Sequence, residues 1–185
     1  MATHNTDADS ANTAVRAFLT KVGELYLEKG FNTGNGWGKK TWEKIRDQVF
    51  GGECAYCGAK AGDLTIEHLV MFNRTDFGLH HPGNIVPACR PCNKRTKKPD
   101  GTYAGWKDHL REICQQKNDM ASFNLRRDRI HKHHTEGEFH YPDLSHVEKE
   151  AIRVIAGSLY VNIQTEVDKS LKLYRELDKS FVKKI

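Results

Sequence analysis

Apolar residues recur at helical spacing in two long stretches, one toward each end of the chain. In the first, Val15, Phe18, Leu19, Val22, Leu25 and Tyr26 share a face. Asp9 or Ser10 can cap this helix and Gly30 can end it. The second stripe runs Ile152, Ile155, Leu159, Ile163, Val167, Leu171, Tyr174, Leu177, Phe181 and Ile185. It follows Ser145-His-Val-Glu148, which has the form of a capping box. As one helix it would be roughly 60 Å long at about 1.5 Å per residue. That length predicts either a break near residues 157–161 or packing against a partner, the N-terminal helix or a second copy of the chain.

The middle of the chain has shorter periods. Residues 32–38 read as a loop because of their glycines, and Thr41 can cap a short helix with Trp42, Ile45, Val49 and Phe50 on one face, closed by Gly51 and Gly52. Residues 64–70, rich in β-branched and apolar types, predict a strand, and Ile85 with Val86 a second short one. Residues 93–98 predict a basic helix stopped by Pro99-Asp-Gly101. Residues 104–117 predict an amphipathic helix with Leu110, Ile113 and Cys114 inward, and residues 120–134 a basic one. The pattern is that of an α+β protein: an N-terminal tail and helix over 1–41, a small mixed core over 42–103, and a helical region over 104–185.

Composition narrows the chemistry. No run of about 18 apolar residues exists to span a membrane. The first residues lack a basic start and an apolar centre, so a reducing, cytoplasmic setting is expected. There, Cys-x-x-Cys pairs point to metal or redox chemistry before disulfides. Cys54-x-x-Cys57 and Cys89-x-x-Cys92 supply four thiolates for one tetrahedral ion, a structural zinc, although iron accepts the same ligands. A closed four-cysteine site leaves no position for water and does no chemistry itself. The fifth cysteine, Cys114, reads as a small buried hydrophobe. The net charge of +5 is uneven: from Arg90 to Lys132 there are twelve Lys or Arg against five Asp or Glu. Such clustering suits a polyanion or a solvated face.

Between and after the cysteine pairs stand Glu67-His68, then Asn84 ahead of Ile85-Val86, then Asn93-Lys94-Arg95 directly after Cys92. Together with the cysteines these resemble the HNH endonuclease family, whose shared core is the ββα-metal fold; the likeness covers about residues 42–98. The resemblance implies a nuclease that hydrolyses phosphodiester bonds, with DNA the expected polymer. It implies that His68 is the general base, which suits an imidazole that titrates near neutrality. It implies that Glu67 and Asn93 hold a catalytic Mg²⁺ or Mn²⁺ through oxygen atoms, and that Asn84 braces the loop that orients the base. Lys94, Arg95, Lys97 and Lys98 would meet flanking phosphates. Glu67 stands where many members have Asp, and Asn93 where the family's naming pattern has His. The pair His80-His81 reads either as solvent-exposed loop residues or as a phosphate contact, His81 for one, or a replacement for His68. Neighbours on a strand face opposite ways, so Glu67 and His68 share a site only if the strand twists or ends there. The histidines at 131, 133, 134 and 140 read as a solvated or phosphate-facing helix. A non-catalytic zinc-ribbon module that binds nucleic acid is the competing class, and an interaction protein working through its C-terminal helix, as a homodimer, is a third.

Overall fold

The computed structural model describes residues 6–60 and 62–181. Five helices surround a two-stranded sheet. They are α1 (Asp7–Leu27), α2 (Gly36–Lys44), α3 (Trp106–Gln116), α4 (Phe123–Thr135) and α5 (His146–Phe181), with β1 (Thr65–His68) and β2 (Ile85–Ala88). Ile185 lies outside the described residues.

Caps account for both ends of α1 and the start of α5. Thr6, ahead of the expected Asp9 or Ser10, caps α1 by accepting from the Asp9 amide; Glu28, left-handed at φ 54°, ends it. The capping box at α5 forms: the Ser145 amide donates to Glu148 Oε2 and the Glu148 amide donates to Ser145 Oγ. Helix α5 then runs 36 residues without a break over 157–161, which leaves the packing alternative. Helix α2 begins at Gly36, inside what the glycines had suggested was loop, and continues through Thr41 into a wider π turn over Ile45–Val49. Gly38 is required there because a Cβ would lie 2.3 Å from the Asn32 carbonyl oxygen.

Residues 93–98 do not form the expected basic helix. They turn after Cys92 and pair back, with Lys97 bridged to Tyr103 and the Ala104 amide donating to the Thr96 carbonyl. The competing force is the burial of Arg95, described below, together with the tight turn at Pro99-Asp-Gly101. The helix that follows the two strands is α3.

Two apolar clusters hold these pieces. One joins Phe31, Ile45, Phe50, Tyr56, Leu69, Ile85, Val86, Leu110, Cys114 and Ile130, so α3 and α4 close over the sheet. The other joins Val15 and Leu19 of α1 with Leu79, Leu144, Ile152 and Ala156. The first half of α5 therefore packs on α1, the bundle alternative of the sequence reading. Its second half leaves Leu171, Leu173, Tyr174, Leu177 and Phe181 exposed among the described residues. No helix of the described chain is long and apolar enough to cross a membrane.

Candidate functional site

The strands pair antiparallel, Thr65 opposite Ala88 and His68 opposite Ile85. At one end of this ribbon stand the cysteines. The Ala55 amide donates to the Pro87 carbonyl, which fixes the first knuckle to β2, and His109 of α3 donates from Nε2 to the Cys92 carbonyl, which fixes the second. The Sγ atoms of Cys54, Cys57, Cys89 and Cys92 all lie within 4.8 Å of one another, and Cys57 and Cys89 are 3.7 Å apart. A tetrahedron with Zn–S bonds of about 2.3 Å has edges of about 3.8 Å, so the set fits zinc. Its electrostatics ask for a cation. A hydrogen bond from the Cys92 thiol draws Cys54 down to about 4, while that same bond pushes Cys92 up and burial pushes Cys57 up. Four thiolates cannot coexist there without positive charge between them.

The opposite end of the ribbon carries Glu67, His68 and Asn84. Strand β1 stays regular through His68, so Glu67 and His68 face opposite ways. The structure does not bring them to one point. Glu67 turns inward, 5 % exposed, and its Oε1 accepts from Arg95 Nε at 2.7 Å. Burial pushes its carboxyl up against the opposing pull of Arg95. Arg95 was expected on flanking phosphates, but its side chain is only 2 % exposed. It also donates to the carbonyls of His68 (2.7 Å) and Ala104 (3.3 Å) and to the Tyr56 hydroxyl (3.3 Å). The guanidinium thus cross-links the end of β1 to the turn after the second knuckle. Lys94, Lys97 and Lys98 remain exposed.

Asn93 donates from Nδ2 to Thr65 Oγ1 (2.8 Å) and to the Ile66 carbonyl (3.0 Å). The Thr65 hydroxyl spends its own proton on the Ala88 carbonyl, so both partners are acceptors and the amide can point only one way. Asn93 Oδ1 is left without a donor among the described residues.

His68 lies half-buried on the outer face. Its ring stacks on Phe72 at 4.9 Å, and its Nε2 is 3.0 Å from Nδ1 of His80. Burial first, then the nearby His80 and Arg95, pushes His68 down to about 3, so the ring is neutral at pH 7. His80 in turn leans on Phe31, and its backbone abuts α1 so closely that a Cβ on Gly23 would meet the His80 carbonyl oxygen at 2.5 Å.

Asn84 is fully buried and holds the intervening loop. Its Oδ1 accepts from the Val70 amide (2.8 Å), and its Nδ2 donates to the carbonyls of Val70 (2.9 Å) and Leu79 (2.8 Å). Its own carbonyl accepts from the Leu69 amide, the residue after His68. His81, read from the sequence as a loop or phosphate-contacting residue, is 3 % exposed and accepts from the Gly83 amide through Nδ1. Neither member of the His80-His81 pair is a free loop side chain.

The sequence reading also missed an inward pair on α4. His133 Nε2 donates to the carbonyls of Pro82 and Ile85, and His134 Nδ1 donates to that of Gly83. Expected in solvent, they clamp the turn that carries Asn84. The available signal was Ile130 and His133 at helical spacing; both are buried. Cys114 is buried beside Arg126.

No curated protein and no solved structure matches this chain. One family model, described as HNH endonuclease, matches residues 54–98. That span begins at the first cysteine, ends on the basic run after the second knuckle, and contains both strands, Glu67, His68, Asn84 and Asn93. Residues 54–98 of this chain therefore carry an HNH endonuclease domain.

Proposed function

We propose that the protein is a divalent-metal-dependent endonuclease that hydrolyses phosphodiester bonds in DNA, with His68 as its general base and zinc on the four cysteines as a structural staple. The observation that carries this is the state of His68. Its ring is neutral and pinned between Phe72 and His80, and one nitrogen, Nδ1, meets no described partner. The tautomer that leaves Nδ1 basic puts the proton on Nε2, which then donates to His80 Nδ1. His80 is a positioning residue in this scheme, and Asn84 holds the backbone beside the base. So low an affinity for protons rises when a phosphodiester brings negative charge beside the ring, which moves His68 toward the working range of a base.

Glu67 and Asn93 would hold the catalytic cation, and for that ion to serve His68 the Glu67 carboxylate would have to leave Arg95 and turn toward the outer face of β1. Asn93 Oδ1 is open, and the Glu67 carboxylate has one oxygen that Arg95 does not engage. A hard ion completing its shell with water and phosphate oxygens suits that set. When bound, Mg²⁺ or Mn²⁺ supplies charge relief at the phosphate and the departing oxygen. Lys94, Lys97 and Lys98, exposed beside Asn93, would face the flanking strand. A homodimer through the exposed apolar half of α5 would place two such sites on one duplex.

The test is nicking of supercoiled plasmid by zinc-loaded protein with and without Mg²⁺ or Mn²⁺. Metal-dependent conversion to open circles is expected. Binding without cutting under every divalent metal would leave a non-catalytic zinc module as the function.

A further inference from the structure

Three cations far apart in sequence converge on one small cleft beside His68. Arg16 comes from α1, Arg74 from the loop after β1, and Lys97 from the turn after the second knuckle. Asn12, Phe72 and Tyr103 complete most of the lining, and the space is about 360 Å³. Every one of the three cations is exposed, and none makes an ion pair among the described residues. No carboxylate lines the cleft. A larger cleft elsewhere in the molecule is mixed, with Asp76, Asp143 and Glu150 beside Lys149 and Arg153. Convergent like charges repel, and a fold that assembles them without a counter-charge presents a site for an anion.

Two of the three stand on fixed supports. Asn73 Oδ1 accepts from the amides of Thr75 (2.9 Å) and Asp76 (2.7 Å), which sets the turn carrying Arg74. The Arg74 guanidinium lies over the Tyr160 ring of α5 at 4.5 Å. Lys97 is held by its bridge to Tyr103, in a turn closed by the Lys98 amide donating to the Thr102 carbonyl at 2.7 Å. Such preorganisation lowers the ordering cost of binding. Phe72 forms part of the wall and stacks on His68 with its ring, so the cleft begins one aromatic ring from the proposed base.

We propose that Arg16, Arg74 and Lys97 bind backbone phosphates of the DNA strand adjacent to the bond that is cut, so that α1 and the loop after β1 form part of the substrate track. The proposal rests on the nuclease reading above, and extends it to residues outside the matched domain, Arg16 above all. Each contact is a screened phosphate pair. Losing one removes a slope of about 0.9 in log affinity against log salt, which at physiological salt is roughly a five-fold loss of affinity.

The experiment measures fluorescence anisotropy of a short labelled DNA duplex with zinc-loaded protein, no other divalent cation added, over a salt series. Arg16→Ala and Arg74→Ala should each weaken binding about five-fold and lower the salt slope by about one, with the double variant roughly additive. Arg16→Lys should keep most of the affinity. Arg153→Ala, at the mixed cleft, should change nothing. Arg16 is exposed on α1, so its variants keep the fold even if Arg74→Ala loosens the contact with Tyr160. Wild-type affinity and salt slope in Arg16→Ala and Arg74→Ala, with DNA bound by the wild type, overturn the cleft alone. Cleft-dependent binding with no cutting under Mg²⁺ sinks the nuclease reading and leaves the cleft standing. A wild type that binds no DNA overturns both.

Discussion

Replacing Arg95 with methionine separates two roles that the sequence alone cannot tell apart. A surface arginine on a phosphate would cost affinity and little stability. Arg95 instead holds Glu67, two backbone carbonyls and the Tyr56 hydroxyl, with 2 % of its side chain exposed. Removing one partner of a buried ion pair costs about 3–5 kcal/mol, because the other charge stays behind. Glu67 can escape part of that cost by taking up a proton, since burial already pushes its carboxyl up and Arg95 is what opposes the rise. The expected loss for Arg95→Met is therefore toward the lower end, about 3 kcal/mol. In a chain of this size that is a fall of about 6–12 °C in melting temperature. Glu67→Gln combined with Arg95→Met should recover about 1–2 kcal/mol relative to Arg95→Met alone, because the buried charge is gone. The assay is urea unfolding of zinc-loaded protein followed by tryptophan fluorescence, with DNA binding measured in parallel where the protein is folded. A loss under about 1 kcal/mol together with a reduced salt slope of binding would refute the buried cross-link and return Arg95 to the phosphates.

Asn84→Ala strands the Val70 amide and the Val70 and Leu79 carbonyls, and should cost about 3 kcal/mol in the same unfolding assay; a cost below about 1 kcal/mol would contradict its role as the loop's fastening. His80→Ala should slow cutting about 10- to 100-fold with KM little changed, whereas His80→Asn, which keeps an acceptor near the position of Nδ1, should recover most of kcat. Equal rates for the two variants would remove His80 as a positioning residue. His133 is buried and its imidazole is pushed below the ordinary value by that burial, against the pull of its bonds to Ile85 and Pro82. The unfolded chain therefore binds a proton below about pH 6.5 that the folded chain refuses, so this contribution is present above pH 6.5 and is lost as pH falls toward the lowered folded value. His133→Gln, compared with wild type at each pH so that the cysteine contribution cancels, should flatten the loss of stability between pH 6.5 and 5. An unchanged pH slope would place a charged His133 in the folded state.

The sequence exposed what depends on local pattern. The two cysteine pairs, the capping box at Ser145, the strand pair and the stripes of α1 and α5 each follow from spacing within one segment. What it hid depends on a partner distant in the chain. Arg95 lies in a run of cations that reads as a basic helix facing phosphates, and only the fold reveals Glu67, twenty-eight residues earlier, as the charge that draws it inward. His133 and His134 turn inward because the Pro82–Asn84 turn lies beneath α4, fifty-one residues away for the His134–Gly83 bond. The helix start at Gly36 was masked by glycines whose purpose, at Gly38, is close approach to Asn32 and not loop flexibility. Arg16 and Arg74 carry no motif; the signal was their convergence on one cleft, which spacing does not encode.

A single comparison separates His68 as a base from His68 as a structural ring. Single-turnover cleavage of a defined DNA substrate in Mg²⁺ is measured for wild type and for His68→Ala, alongside duplex binding and melting temperature. The variant loses the stack on Phe72 and the bond to His80, so it should melt somewhat lower than wild type yet stay folded and bind the duplex with wild-type affinity. It should cut about 10²- to 10⁴-fold more slowly, the range for losing a general base. Cutting by His68→Ala at the wild-type rate would contradict the assignment.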